Sequence, residues 1–230
     1  MPVAQSDNMW PTMRVHLVDG TYELFRQHFG RMMRDDPRPN AATIGVLIST
    51  LALFDEGATH VAVASDHVIE SFRNELWPTY KSSVGMPPEL LGQLSIVEEA
   101  LAAMGVTVFA MVEHEADDAL GAAARVADAD PRVDQAMILT PDKDLGQCVR
   151  GKRVVQFDRR KRELIDHDGV VAKFGVEPAS IPDYLGLVGD SSDGFPGLPG
   201  WGARSASIVL ARYRHLEDIP AAAGQWDVSG

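Results

Sequence analysis

The stretch Val106-Thr107-Val108-Phe109-Ala110-Met111-Val112-Glu113-His114-Glu115-Ala116-Asp117-Asp118 decides how this chain is read. An apolar run of strand length gives way to three carboxylates in four positions, and an alanine-rich helical pattern follows through Ala119, Ala123, Ala124 and Ala127. At about 4 Å and an effective dielectric of about 20, one pair of such charges costs about 4 kcal/mol unless a proton, a cation or solvent relieves it. Two readings compete. Acids in a first helical turn complement the macrodipole and cap free N–H groups. The same acids are also the usual ligands of a hard divalent cation.

The same pattern recurs on both sides of this stretch. Val15-His16-Leu17-Val18 is a short apolar run ending in Asp19-Gly20, with a helical pattern after it through Tyr22, Leu24, Phe25 and Phe29. A helix over residues 41–56 leads to a second run, His60 to Ser65, which ends in Asp66. Residues 71–88, punctuated by Pro78, Gly85, Pro87 and Pro88, read as a loop or mobile flap, and residues 89–104 as one helix ending at Gly105. A fourth run, Ala136 to Thr140, ends in Pro141-Asp142-Lys143-Asp144. Val154 to Phe157 and Glu163 to Ile165 then form a hairpin across a basic turn. Alternating strands and helices with continuous apolar strands predict an α/β fold whose mostly parallel sheet is covered on both faces. Ligands of such sheets sit beyond the carboxyl ends of the strands. Asp19, Asp66, Glu115, Asp117, Asp118, Asp142 and Asp144 all fall there, and delivery by four separate strands favours a metal site over independent caps.

Beyond residue 166 the pattern shifts to short helical segments over 168–174 and 178–188. The glycine-rich stretch Gly189 to Gly202 follows and carries Asp190 and Asp193, and the helix 203–213 opens with Arg204 and Ser205. Glycines there let the backbone approach an anion closely, with the helix N-terminus behind it; a flexible surface turn is the alternative reading.

Composition sets outer bounds. The chain has 230 residues, 45% hydrophobic and 23% charged, with no apolar segment long enough to span a bilayer and no secretory leader pattern, which points to the cytoplasm. The single cysteine, Cys148, excludes a cysteine-rich zinc site and reads as a small buried hydrophobe. A net charge of −12 opposes nucleic-acid binding at first sight, although metal ions held by the acids would offset part of it. Seven of the 21 Lys and Arg lie between Arg150 and Arg162, either as a solvated hairpin or as a phosphate-facing surface.

Five ordered blocks then resemble the flap endonuclease and 5′-3′ exonuclease family, which includes the N-terminal nuclease domain of bacterial DNA polymerase I. They are Val18-Asp19-Gly20; Ser71-Phe72-Arg73 with Tyr80-Lys81; Glu115 to Asp118; Thr140 to Gln147; and Gly189 to Asp193 running into Pro196 to Gly202. The resemblance implies a PIN-like nuclease domain over residues 13–166, after a loose leader of residues 1–12, and a helix-three-turn-helix DNA-binding region over residues 167–230. It implies that Asp19, Asp66, Glu115, Asp117, Asp118, Asp142, Asp144, Asp190 and Asp193 hold two Mg²⁺ or Mn²⁺ ions. Glu115 and Asp117 are the expected inner ligands, and Asp118 ranks below them. Asp19, Asp117 and Asp142 are expected at the catalytic centre, with Arg73 and Lys81 facing the scissile phosphate. Tyr80, Lys81, Gly197, Gly200, Gly202, Arg204 and Ser205 are expected on DNA, and a K⁺ ion on the loop carbonyls.

The implied substrate is a 5′ flap, nick, gapped duplex or RNA–DNA primer end in replication and repair. The implied protein is a monomer at the nucleoid that works alongside a DNA polymerase and a ligase, with no membrane. A non-catalytic DNA-structure-binding member and a PIN-type endoribonuclease are the alternatives. The chain departs from the family at Val84, where arginine is common, at Gly194 and Trp201, and at Arg204-Ser205, which replace Lys-Thr. It also stops at Gly230, so a natural short form or a truncated one is expected.

Overall fold

The structure is a computed structural model and describes residues 12–33, 38–77 and 80–228. The expected leader, apart from Thr12, lies outside them, as does part of the loop that precedes residue 41. The chain runs β1 (Met13–Asp19), α1 (Gly20–Met33), α2 (Ala41–Asp55), β2 (His60–Asp66), α3 (Arg73–Leu76), α4 (Pro88–Leu91), α5 (Gln93–Ala103), β3 (Thr107–Met111), α6 (Ala116–Ala129) and β4 (Val133–Leu139). It continues with β5 (Val154–Asp158), β6 (Glu163–Ile165), α7 (His167–Phe174), α8 (Ile181–Val188) and α9 (Ala203–Tyr213).

The six strands form one sheet in the order β3-β2-β1-β4-β5-β6. Every pairing is parallel except β5 with β6, the expected hairpin. The chain winds outward from β1 to β3, returns to the other side of β1 as β4, and so places its change of winding direction between β1 and β4. In open α/β sheets that is where a crevice opens beyond the strand ends.

Burial explains the continuous apolar strands. One sheet face packs Val18, Val63 and Leu139 against Leu24, Val46, Leu53 and Leu101 of α1, α2 and α5. The other face packs Leu17, Ala64, Ala136 and Ile138 against Ala116, Leu120 and Ala124 of α6, whose alanines let helix and sheet approach closely. A third core joins Val149 and Ile165 to Val170, Ile181, Leu187, Ala206 and Leu210, and so roots α7, α8 and α9 on the sheet domain.

Two local readings change. The segment 89–104 is not one helix: it is interrupted at Gly92, where the Gln93 side chain donates to the Glu89 carbonyl and accepts from Thr43, diverting groups that a continuous helix would pair internally. The stretch 71–88 is not all loop, because α3 forms within it, with the Asn74 side chain accepting from the Ser71 N–H at 2.8 Å.

Candidate metal centre

The four acid-bearing strands, β3, β2, β1 and β4, are neighbours in the sheet, so their carboxyl ends open onto one edge. Asp19 ends β1. Its Oδ1 accepts from the Tyr22 N–H at 2.8 Å, and its Oδ2 from the Thr140 hydroxyl at 2.9 Å. Gly20 follows because a Cβ there would lie 2.6 Å from Val63 and 2.8 Å from the Ala64 carbonyl. Asp66 ends β2 and accepts from the Ala116 N–H at 2.7 Å, which fixes the start of α6 over the sheet edge. After β4, Asp142 accepts from the Asp144 N–H at 2.9 Å and turns the chain so that both carboxylates stay on this edge.

The nine predicted acids do not form one uniform cluster. Asp19, Asp66, Asp117 and Asp142 repel one another across the strand ends. Asp144, Asp190 and Asp193 form a second group in which one carboxylate oxygen from each lies within 4.8 Å of the others. Burial pushes the Asp19 carboxyl up to about 7, with Asp66 and Asp142 adding to the rise. Asp144 is likewise pushed up to about 7 by burial and by Asp142, Asp193 and Asp190. Asp117 is raised well above the ordinary carboxylate range by burial and then by Asp19 and Asp142, and Asp193 is raised by burial and Asp190.

The second half of the acidic stretch behaves differently. Glu115 Oε1 accepts from the Ser71 hydroxyl at 2.5 Å and meets the Arg73 guanidinium at 3.2 Å, while Oε2 meets Lys81 Nζ at 2.9 Å and the Tyr80 hydroxyl at 3.1 Å. Asp118 gives both oxygens to Arg73 at 2.8 Å, and its Oδ2 also caps the Glu115 N–H at 2.9 Å. These contacts hold both carboxyls below their ordinary values; for Asp118 the Arg73 hydrogen bonds are the main cause, while for Glu115 the Ser71 hydrogen bond and the two cations outweigh burial. Asp118 therefore stands outside the acid cluster, against Arg73. Glu115, expected as an inner ligand, is surrounded by hydrogen-bond donors.

Lys81 spans the two regions. Its Nζ lies 3.4 Å from Asp66 and 2.9 Å from Glu115. Lys143, not singled out from the sequence although it lies in the Thr140 to Gln147 block, pairs with Asp190 at 2.9 Å. Thr140 and Ser71 were also missed as partners of the acids, although each opens one of the quoted blocks.

Two clefts meet at the cluster, and Asp117 lines both. One, of about 510 Å³, is bounded by Asp19, Asp66, Asp117, Asp142, Asp190 and Asp193, with Tyr22, Phe25, Lys81, Lys143 and Lys173 around them. Two features test whether the residues fit divalent ions. Asp144 Oδ1 is buried without a hydrogen-bond partner, and the Asp117 carboxylate has none among the described residues. Buried carboxylate oxygens left unpaired among other carboxylates, with no thiolate or imidazole in the set, suit a hard cation such as Mg²⁺ or Mn²⁺.

In the glycine-rich loop, Gly197 has φ +70°, and a Cβ there would lie 2.5 Å from the Gly189 N, so it serves close packing within the loop. Gly200 and Gly202 face open space. The Ser205 hydroxyl donates to the Gly202 carbonyl and accepts its N–H, both at 3.0 Å, which caps α9, while Arg204 is exposed. The basic stretch is divided: Lys152, Arg160, Lys161 and Arg162 are exposed, as in a solvated hairpin, and the other three are engaged elsewhere. Arg159 turns inward to Glu23 at 3.4 Å, Arg153 pairs with Asp128 at 3.1 Å, and Arg150 lines a second cleft.

A parallel α/β sheet with an acidic centre at its carboxyl edge, followed by a small helical unit rooted on it, defines a resolvase-like nuclease fold. The chain belongs to the 5′-3′ exonuclease family: residues 14–175 match its N-terminal resolvase-like domain and residues 176–229 its C-terminal SAM fold. It is 34% identical over 216 residues to DNA polymerase I of Pseudomonas aeruginosa, covering 89% of this chain and 23% of that protein. It is 32% identical over 210 residues to DNA polymerase I of Bacillus subtilis, covering 88% and 24%. The chain thus spans about a quarter of the length of these relatives. In fold it is similar to the bacteriophage T5 flap endonuclease in a complex with DNA and metal ions, with a TM-score of 0.73 at 20% identity, covering 94% of this chain and 80% of that one. It is also similar to the catalytic core of Rad2 bound to a DNA substrate, with a TM-score of 0.58 at 17% identity, covering 90% and 63%. Among the described residues no helix is long and apolar enough to cross a membrane.

Proposed function

We propose that this chain hydrolyses phosphodiester bonds at the 5′ ends of DNA and of RNA primers, as a structure-selective 5′-3′ exonuclease and 5′-flap endonuclease in replication and repair. One observation carries this reading: Asp117 and Asp144 are left unpaired amid acids drawn from neighbouring strand ends and from the Gly189 to Gly202 loop, in a chain of the 5′-3′ exonuclease family. Natural folds leave such groups uncompensated chiefly where function uses them.

Asp19, Asp66, Asp117 and Asp142 would hold one ion and Asp144, Asp190 and Asp193 the other, with Glu115 joining them when Lys81 moves to substrate. Two Mg²⁺ or Mn²⁺ ions would supply activation of water at neutral pH and neutralise charge on the scissile phosphate. Lys81 and Arg73, held at the cluster by Glu115 and Asp118, would exchange those carboxylates for phosphate oxygens. Tyr80 would release Glu115 and stack on a base beside the cut. Residues 167–230 would grip the duplex backbone, with Gly200, Gly202 and Arg204 facing phosphates. In the cell this activity would work alongside a DNA polymerase and a ligase.

The deciding experiment is cleavage of a labelled 5′-flap duplex in Mg²⁺ by the wild type and by Asp117→Asn and Asp142→Asn. The reading requires loss of cleavage in both variants with flap binding in Ca²⁺ retained; undiminished cleavage would remove it. Competition between single-stranded RNA and flap DNA separates it from an endoribonuclease.

A further inference from the structure

The second cleft, of about 400 Å³, shares Asp117 with the first and is lined by α6 and by residues of the segment 144–150. Arg73 and Tyr80 line it as well, whereas Lys81 lines the first cleft. Along α6, Asp117, Gly121 and Arg125 stand four residues apart and share one face, which sets Arg125 about 12 Å from Asp117 along the helix axis. Gly121 keeps the floor between them low; a Cβ there would lie 3.3 Å from Cys148 on the opposite wall.

Arg125 is exposed and has no ion pair or hydrogen bond among the described residues. Arg150, across the cleft, gives one terminal nitrogen to the Gln147 and Val149 carbonyls at 2.8 Å and has no other partner among them. Of the acids that line the cleft, Asp128 is engaged by Arg153, Asp118 by Arg73 and Glu115 by Lys81, while Asp117 and Asp144 belong to the acid cluster from which the cleft starts. Two arginines thus face a groove that begins at the acid cluster and leads away from it, with no carboxylate of their own to bind.

We propose that this groove is a second phosphate-binding trough, in which Arg125 and Arg150 hold the backbone of the single-stranded DNA that continues past the acid cluster. This rests on the nuclease reading for its substrate. A strand that lies in the first cleft and crosses Asp117 passes into the second, and the trough gives that single strand cationic contacts without reading its bases. The side chains that distinguish a long flap from a nick would then lie here, outside the catalytic cluster.

The test measures binding in Ca²⁺ of duplexes carrying no flap, a short flap or a five-nucleotide flap, by fluorescence anisotropy. The wild type should bind tighter as the flap lengthens, and Arg125→Glu together with Arg150→Glu should cancel that gain, about tenfold at the longest flap. Arg160→Glu together with Arg162→Glu, an equal charge change on the exposed hairpin turn, should keep it. Each arginine replaced should also lower the slope of log affinity against log salt by about 0.7 for flapped DNA only. Cys148, the chain's single cysteine, lies in the trough, so the long flap should slow its alkylation by a maleimide while the unflapped duplex does not. An affinity gain with flap length that survives the double variant, or equal losses at every length, would overturn the trough. Failure of the wild type to cleave any flap in Mn²⁺ would instead overturn the nuclease reading, and these binding and alkylation measurements would still decide the trough.

Discussion

Glu115 and Asp118 sit beside Asp117 in sequence but occupy the opposite electrostatic condition. The first two are surrounded by Arg73, Lys81, Tyr80 and Ser71, and their carboxyls are held below ordinary values. Asp117, between them, points into a field of other carboxylates and is driven well above the ordinary range. Helix geometry produces the split: successive residues in the first turn of α6 point about 100° apart, so one faces the strand ends while its neighbours face Ser71, Arg73, Tyr80 and Lys81. The difference teaches that this acidic stretch has two tasks. One half fixes α6 to Arg73 and Lys81, and the other half gathers carboxylates that repel one another.

The largest expected effect that would sharpen this contrast is in Asp117→Asn. Cleavage of a 5′ flap should fall about 10³-fold or more, yet the metal-free protein should melt higher than the wild type, because a crowded buried carboxylate has been removed. A metal-free melting point below that of the wild type would break the comparison. In the satisfied half the sign reverses: Arg73→Ala should destabilise the metal-free protein by about 2 kcal/mol, since it leaves Glu115 and Asp118 facing each other with Lys81 as their remaining cation. Urea denaturation measures it, and an unchanged midpoint would contradict the assignment.

A smaller effect concerns pH. Asp19 and Asp144, pushed up to about 7 from an ordinary 3.8, favour the folded state most when protonated. That contribution is complete below the unfolded value near pH 4 and is lost as pH rises through about 7. On the two-ion reading Mg²⁺ would take the place of those protons, so the rise in Tm on adding it should be slight near pH 5.5 and grow toward pH 8. A gain that shrank over this range would contradict the cluster.

Much of this arrangement is legible in the sequence because strand ends are legible. An apolar run closed by Asp19, Asp66, Glu115 or Asp142 states which edge of a parallel sheet those acids occupy, and the glycine-rich loop marks where Asp190 and Asp193 join them. The division among the acids is not legible there, because it depends on which of them Arg73 and Lys81 reach across forty or so residues of chain. The inward turn of Arg159 onto Glu23, and the interruption of a helix at Gly92 by the side chain of Gln93, are likewise set by tertiary partners that no local pattern names. Arg125 shows the converse: its spacing from Asp117 is readable, but its lack of a partner is a property of the folded surface.

The central claim is that the unpaired carboxylates exist to be neutralised by two divalent ions. Calorimetric titration of Mn²⁺ at pH 7, in two buffers that differ in ionisation heat, tests it most directly. The account predicts saturable binding that approaches two ions per chain, with proton release on binding and a lower stoichiometry or affinity in Asp117→Asn. Absence of Mn²⁺ binding, or binding without proton release that Asp117→Asn leaves unchanged, would contradict it.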